Sequence, residues 1–259
     1  MVLIAAVFGL LCGSFANVLI ARVPAGEQWW RGSSRCPACA HDIAWYDNIP
    51  IVSWVALRGH CRHCRAPISV RYPIVELACA GLFALVAWRH GATALSVTLA
   101  YVAVISVALA VIDLEHRRLP NALTYPSYIV VFIGLIAHAL VEGDVWLLGR
   151  AGISMVALAG FYQVMRIASR GGMGRGDVVT AGVLGLVLGG VGWAALAVGA
   201  IAGPLIGGVA GIVTMIAVRQ ARGVRIPYGP WLVAGAWLGL VAGDAISEWY
   251  LDVATLSLS

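Results

Sequence analysis

The chain contains no lysine: its 17 basic residues are all arginine, set against only 12 acids in 259 residues. Charged residues make up 11% of the chain and hydrophobic ones 61%, and mean hydropathy is +0.90. So little charge excludes an ordinary water-soluble domain, in which about a quarter of residues are charged. Also missing is a glycine-rich nucleotide fingerprint of the Rossmann kind. No internal repeat or low-complexity tract stands out. Val2–Ile20 runs on to Arg22 without a basic start or a small-residue cleavage site, so it reads as a retained span rather than a cleavable signal.

What is present is a succession of apolar runs, each near the length of about 20 residues that crosses a bilayer as a helix. They cover Val2–Ile20, Pro73–Trp88, Leu95–Ile112, Leu123–Val141, Trp146–Ile167, Val178–Val191, Trp193–Val218 and Pro230–Ile246. The second and sixth are short. The fold expected is an all-α polytopic membrane protein of about eight transmembrane helices. Its 31 glycines, as in the stretch 199–211, suit close helix packing in lipid. One polar insert, Arg22–Tyr72, separates the first two spans. The organisation expected is therefore a first span over 1–21, a polar insert over 22–72 and a membrane-embedded core over 73–259.

The arginines orient these spans. With the amino terminus outside, the insert (Arg22, Arg31, Arg35, Arg58, Arg62, Arg65, Arg71) faces the cytoplasm. So do Arg117 and Arg118, then Arg166, Arg170 and Arg175, then Arg219, Arg222 and Arg225. Only Arg89 and Arg150 fall outside, the bias that positive-inside topology requires. The net charge of +5 thus reflects topology and contact with anionic headgroups, and not nucleic-acid binding.

Acids at span edges are functional candidates by default. Asp113 closes the third span. Asp177 opens the sixth, after the glycine-rich turn Gly171-Gly172-Met173-Gly174-Arg175-Gly176. The topology puts both at the cytoplasmic face. Two carboxylates held close share one proton, and such a pair can activate water with one member and protonate the carbonyl oxygen or leaving amine with the other. The glycines would make a flexible turn and admit a substrate backbone. Structural readings stand beside this one: Asp177 as a helix cap, and Asp113 paired with Arg117 or Arg118 among the headgroups. Glu76, inside the second span, is a secondary candidate. Glu115, His116, Asp144, Asp244 and Glu248 read as solvated rim residues.

The insert carries Cys36-x-x-Cys39 and Cys61-x-x-Cys64, separated by residues 40–60. Two such turns supply four thiolates, a closed tetrahedral set for a structural zinc. Disulfides and redox pairs are the alternatives, and a reducing cytosolic face disfavours stable disulfides. Cys12 and Cys79 lie within spans and read as packing residues.

Taken together, these motifs resemble the type IV prepilin peptidases along nearly the whole chain. The likeness rests on Gly13-Ser14-Phe15-Ala16-Asn17-Val18 with Arg22-Val23-Pro24, Asp47-Asn48-Ile49-Pro50, the two cysteine pairs, and Arg71-Tyr72-Pro73 with Glu76. It continues through Ile112-Asp113-Leu114-Glu115, Leu119-Pro120-Asn121, Gly174-Arg175-Gly176-Asp177 and Ile226-Pro227-Tyr228-Gly229-Pro230. The resemblance implies a GxGD-type membrane aspartyl protease with Asp113 and Asp177 catalytic and zinc on Cys36, Cys39, Cys61 and Cys64. It also implies cleavage of a basic leader from type IV prepilins or type II secretion pseudopilins at the cytoplasmic face of the inner membrane. S-adenosylmethionine would then methylate the new amino terminus. A lysine often found two positions after the second aspartate is Val179 here. A peptidase without methyl transfer, or a non-enzymatic transporter or adaptor using the acids as a proton relay, are the competing readings. Oligomeric state and the methyltransferase residues have no signature in the sequence.

Overall fold

The computed structural model describes residues 1–169, 173–218 and 227–256. Arg170, Gly171, Gly172, Arg219, Arg222, Arg225 and Ile226, singled out above, lie outside the described residues. Among the described residues, nine α-helices make up the regular structure: α1 (Val2–Ala25), α2 (Val52–Ala56), α3 (Arg71–His90), α4 (Ala94–His116), α5 (Asn121–Glu142), α6 (Trp146–Ala168), α7 (Arg175–Val191), α8 (Trp193–Val218) and α9 (Gly229–Leu256). A 3₁₀ turn covers Trp45–Asn48.

All but α2 and α7 are long and apolar enough to cross a membrane. The chain is an all-α, multi-pass membrane protein. Each predicted span falls within one helix, and the eighth is α7, of 17 residues. Two limits differ usefully from the sequence reading. Helix α4 continues to His116, so Asp113 sits inside its last turn rather than beyond it. Helix α7 begins at Arg175, so Asp177 sits inside its first turn.

The chain forms two compact units, Met1–Ala108 and Leu109–Ser259. In the first, α1 packs along α3. Small residues allow it: a Cβ on Gly13 would stand 2.6 Å from the Glu76 Cα, and one on Gly9 would stand 2.7 Å from the Ala80 Cα. Asn17, at the end of this seam, donates from Nδ2 to the Tyr72 carbonyl at 3.1 Å. The polar insert between these helices holds the 3₁₀ turn and α2.

In the second unit α6 pairs with α7 and α8 with α9, while α7 also touches α5, α8 and α9. Its residues Thr180 to Gly190 are all buried. Glycine again sets the spacing, since a Cβ on Gly185 would stand 2.6 Å from the Ser154 carbonyl oxygen on α6. The terminal carbonyls of α7, which have no intrahelical partner, are taken by Arg150 of α6. Its guanidinium donates to Gly189 at 2.6 Å, Gly190 at 3.1 Å and Val191 at 3.4 Å. Arg150, one of the two arginines that the positive-inside assignment leaves outside, is therefore a helix cap. The other, Arg89, lies in the last turn of α3, where a cation also complements the helix dipole.

Candidate active site and metal centre

Both candidate aspartates belong to the Leu109–Ser259 unit and both are buried, Asp113 to 5% and Asp177 to 7% exposure. Each is held by an amide at a helix amino terminus, where backbone N–H groups lack intrahelical partners. The Gly229 N–H, first in α9, donates to Asp113 Oδ2 at 2.7 Å. The Gly174 N–H, just before α7, donates to Asp177 Oδ2 at 2.8 Å. The structure brings the two close enough for the Asp113 charge to act on Asp177. Asp113 is thus buried among the helices, with Gly229 as its hydrogen-bond partner. Asp177 does bond the residue before its helix, as the capping reading foresaw, but its burial beside a second carboxylate goes beyond a cap.

The glycine reading needs correction at Gly174 and Gly176; Gly171 and Gly172 lie outside the described residues. Gly174 has φ −75° and ψ 160°, extended backbone open to any residue. Gly176 is needed for closeness, not flexibility: a Cβ there would stand 2.9 Å from the Leu119 Cβ and 3.0 Å from its carbonyl oxygen. The space at Gly176 is filled by the protein's own chain and does not admit a substrate backbone. Its effect is to seat the α7 terminus, with Asp177, against the segment that follows Asp113. Gly229 acts alike, since a Cβ there would stand 2.9 Å from Asp113 Oδ2.

Two tyrosines flank the pair. The Tyr162 hydroxyl on α6 and the Tyr228 hydroxyl just before α9 lie 3.5 Å apart, with ring centroids separated by 5.8 Å. Both feel the Asp177 charge. Tyr162 is fully buried. Sequence reasoning passed over it; the available signal was a phenol in an apolar span, where a hydroxyl needs a partner. Tyr228 lay within a quoted motif but had no role assigned. At Val179 the backbone carbonyl accepts the Tyr128 hydroxyl at 2.8 Å. Of the rim residues, Glu115, His116, Asp144, Asp244 and Glu248 are all exposed.

The four cysteines of the insert also come together, in the Met1–Ala108 unit. Their sulfur atoms all lie within 4.8 Å of one another, and Cys36 Sγ stands 3.8 Å from Cys64 Sγ. A zinc bound at about 2.3 Å by four thiolates sets its sulfurs about 3.8 Å apart at tetrahedral angles. The set therefore fits a metal ion with no fourth position left open. All six cysteines are free thiols, Cys12 half-buried on α1 and Cys79 buried on α3.

The two cysteine turns are copies of one another. The Ala40 N–H donates to the Cys36 carbonyl and the Cys36 N–H to the His41 carbonyl, at 2.8 and 3.0 Å. In the second turn Arg65 bonds Cys61 and Cys61 bonds Ala66 in the same way, at 3.0 and 2.9 Å. Ala40 and Arg65, the fifth residue of each, both adopt positive φ, 56° and 59°. His41 and His63 stack at 4.3 Å between centroids. The Cys39 and Ala38 amides draw the Cys36 thiol down to about 7, whereas, against the His41 amide, burial and the Cys64 and Cys36 sulfurs push the Cys39 thiol up to about 11, so that Cys36 is the first thiolate of the pair.

Glu76 joins neither group. Buried on α3, its Oε2 accepts the Ile51 N–H at 2.8 Å.

Comparison with known proteins agrees with this division. Residues 7–90 match the family model of the bacterial peptidase A24 N-terminal domain, and residues 100–216 that of the type IV leader peptidase family. The chain is 34% identical to the prepilin leader peptidase/N-methyltransferase of Stutzerimonas stutzeri, over 98% of this chain and 95% of that protein. It is 33% identical to that of Pseudomonas aeruginosa, over 98% and 94%, and 38% identical to that of Myxococcus xanthus, over 83% and 63%. No solved structure matches.

Proposed function

Since the chain belongs to the type IV leader peptidase family, we propose that it removes the leader from prepilins or pseudopilins and methylates the amino terminus so exposed. One observation carries the first activity: two buried carboxylates in one unit, each bonded by a helix-terminal amide, with Gly176 beside one and Gly229 beside the other both seated against Leu119. In this reading Asp113 and Asp177 are the catalytic residues. One takes a proton from water as it attacks the scissile carbonyl. The other gives its proton to the carbonyl oxygen; as the C–N bond breaks, the proton taken from water passes to the departing amine and the second carboxylate recovers its own from the gem-diol hydroxyl. Burial among helices keeps bulk water away and strengthens both proton transfers.

The four-cysteine cluster takes zinc, bound by Cys36, Cys39, Cys61 and Cys64 as a structural metal that orders the 22–72 insert. S-adenosylmethionine supplies the methyl group for the second activity. That activity belongs to the amino-terminal part of the chain, because the leader peptidase model begins only at residue 100. The arginine distribution supports the cytoplasmic (inner) membrane, with the amino terminus outside and the acid pair facing the cytoplasm. The expected partition into 1–21, 22–72 and 73–259 differs from the compact units, which divide at Ala108.

The test is processing of a prepilin by the full chain in proteoliposomes, with mass spectrometry of the product. Asp113→Asn and Asp177→Asn each abolish cleavage in this reading. Wild-type cleavage by either variant sinks the pair. A product whose amino terminus never gains a methyl group, with the donor present, sinks the second activity alone.

A further inference from the structure

Glu76 takes no part in the chemistry derived above, yet it is only 7% exposed within α3. A carboxylate at that depth is costly and marks a function. It is tied on both sides: Ser14 of α1 hydrogen-bonds it, and the Ile51 N–H reaches Oε2 at 2.8 Å. Gly13 lets α1 press against the Glu76 backbone itself.

Ile51 is strained. Its φ of 61° and ψ of −50° close a γ-turn in which the Val52 N–H returns to the Pro50 carbonyl at 2.5 Å. The positive-φ γ-turn is rare and strained for any residue, and a β-branched side chain makes it worse. Such a conformation persists only where its surroundings over-determine it, typically at functional sites.

From this turn, contacts lead on to the second cysteine turn. The Ser53 hydroxyl accepts the Ile49 N–H and donates to the Tyr46 carbonyl, at 3.1 and 2.7 Å. In the same 3₁₀ turn, Asp47 takes a two-pronged pair from Arg62, at 2.8 Å from Nε and 2.6 Å from Nη2. Arg62 sits between Cys61 and Cys64. Trp54 Nε1 donates to the Ile68 carbonyl at 3.2 Å and closes the segment behind the second pair. Every member of this chain lies in the Met1–Ala108 unit.

We propose that Glu76 is a positioning residue for methyl transfer, docking the four-cysteine insert on the α1–α3 pair through the turn at Ile51. This rests on the reading that assigns methylation to the amino-terminal part and cleavage to Asp113 and Asp177. Its signature is a split between the two activities, which a general loss of folding does not produce.

The experiment uses the full chain with prepilin and S-adenosylmethionine, scoring cleavage rate, methylated fraction, and metal per chain. Glu76→Ala removes the acceptor. Ile51→Pro removes the donor N–H and forbids positive φ. Both variants cut at the wild-type rate, keep their metal and methylate roughly 10²-fold more slowly, the scale of a misplaced reacting group. Glu76→Gln still accepts the Ile51 N–H and restores methylation; Ile51→Gly holds positive φ without strain and methylates normally. Wild-type methylation by Glu76→Ala overturns the proposal. So does parallel loss of cleavage, metal and methylation, or failure of the glutamine to rescue. A wild-type product without a methyl group overturns the methyltransferase reading itself, and this inference with it.

Discussion

The insert and the acid pair show two ways of fixing reactive groups at a membrane. In the insert, order is local: two copies of one cysteine turn, each closed by backbone bonds spanning a handful of residues. Around the carboxylates, order is remote: Asp113 is held by an amide 116 residues away. Glycines replace side chains there, so that Gly176 meets Leu119 and Gly229 meets Asp113. The first arrangement brings its two turns to where one metal ion could join them. The second needs only helices packed without gaps. Spacing governs one and contact the other.

Stripping the metal should separate the two most sharply. Replacing Cys36 and Cys61 with serine removes about one zinc per chain, and structural zinc contributes on the order of 10 kcal/mol to small zinc-dependent folds. Hydrogen exchange then rises across residues 34–68 while α7 and α9 stay protected; an insert that stays equally protected defeats the metal assignment. Asp113→Asn and Asp177→Asn do the reverse. Their metal content and thermal unfolding match the wild type, while cleavage falls by roughly 10²-fold or more, the usual worth of a general acid or base.

Helix contact is tested next by Gly185→Leu. Its side chain meets the Ser154 carbonyl of α6, and overpacking of this kind costs about 3 kcal/mol, read as a lower unfolding temperature. Arg150→Met frees the three terminal carbonyls of α7 and should cost about 2 kcal/mol. No change in unfolding temperature would show that water caps that end as well.

The smallest effect lies in the insert. Hydrogen bonding and charge from Arg62 hold the Asp47 carboxyl below the ordinary range. The stabilisation is therefore full above the unfolded value of about 3.9 and lost as pH falls through the lowered folded one. Arg62 is 59% exposed, so solvent screens the pair and keeps its contribution small. The difference in insert protection between wild type and Asp47→Asn should be constant at neutral pH and shrink below about pH 4. A difference that persists in stronger acid would assign the effect to shape rather than charge.

Hydropathy alone located eight helices and the polar insert, because apolar length is a one-dimensional property. The cysteine array was equally legible, since its ligands lie in two tight turns. The acids could be named from scarcity and motif. What held them could not: the Gly229 and Gly174 amides carry no side-chain signal. Glycine offers freedom and closeness alike, and only packing against Leu119 decides which Gly176 supplies. Tyr162 was invisible for the same reason, as its partner Tyr228 is 66 residues away. The likeness of the two cysteine turns escaped a search for repeats because it lies in backbone conformation, while Cys-Pro-Ala-Cys and Cys-Arg-His-Cys share only their cysteines.

One consequence follows from the shortness of α7. Seventeen residues rise about 25 Å, short of the roughly 30 Å of a bilayer's hydrocarbon layer. Its leading turn is Arg175-Gly176-Asp177, and glycines recur along it. During synthesis such a segment gains little from entering lipid alone, because arginine and aspartate oppose insertion. Its gain comes from neighbours: the notches that receive α6, and the guanidinium that closes its far end. The helix bearing Asp177 is thus a late arrival, retained in the membrane only once α6 and its other neighbours have gathered. A newly made chain has no paired carboxylates until its assembly is complete.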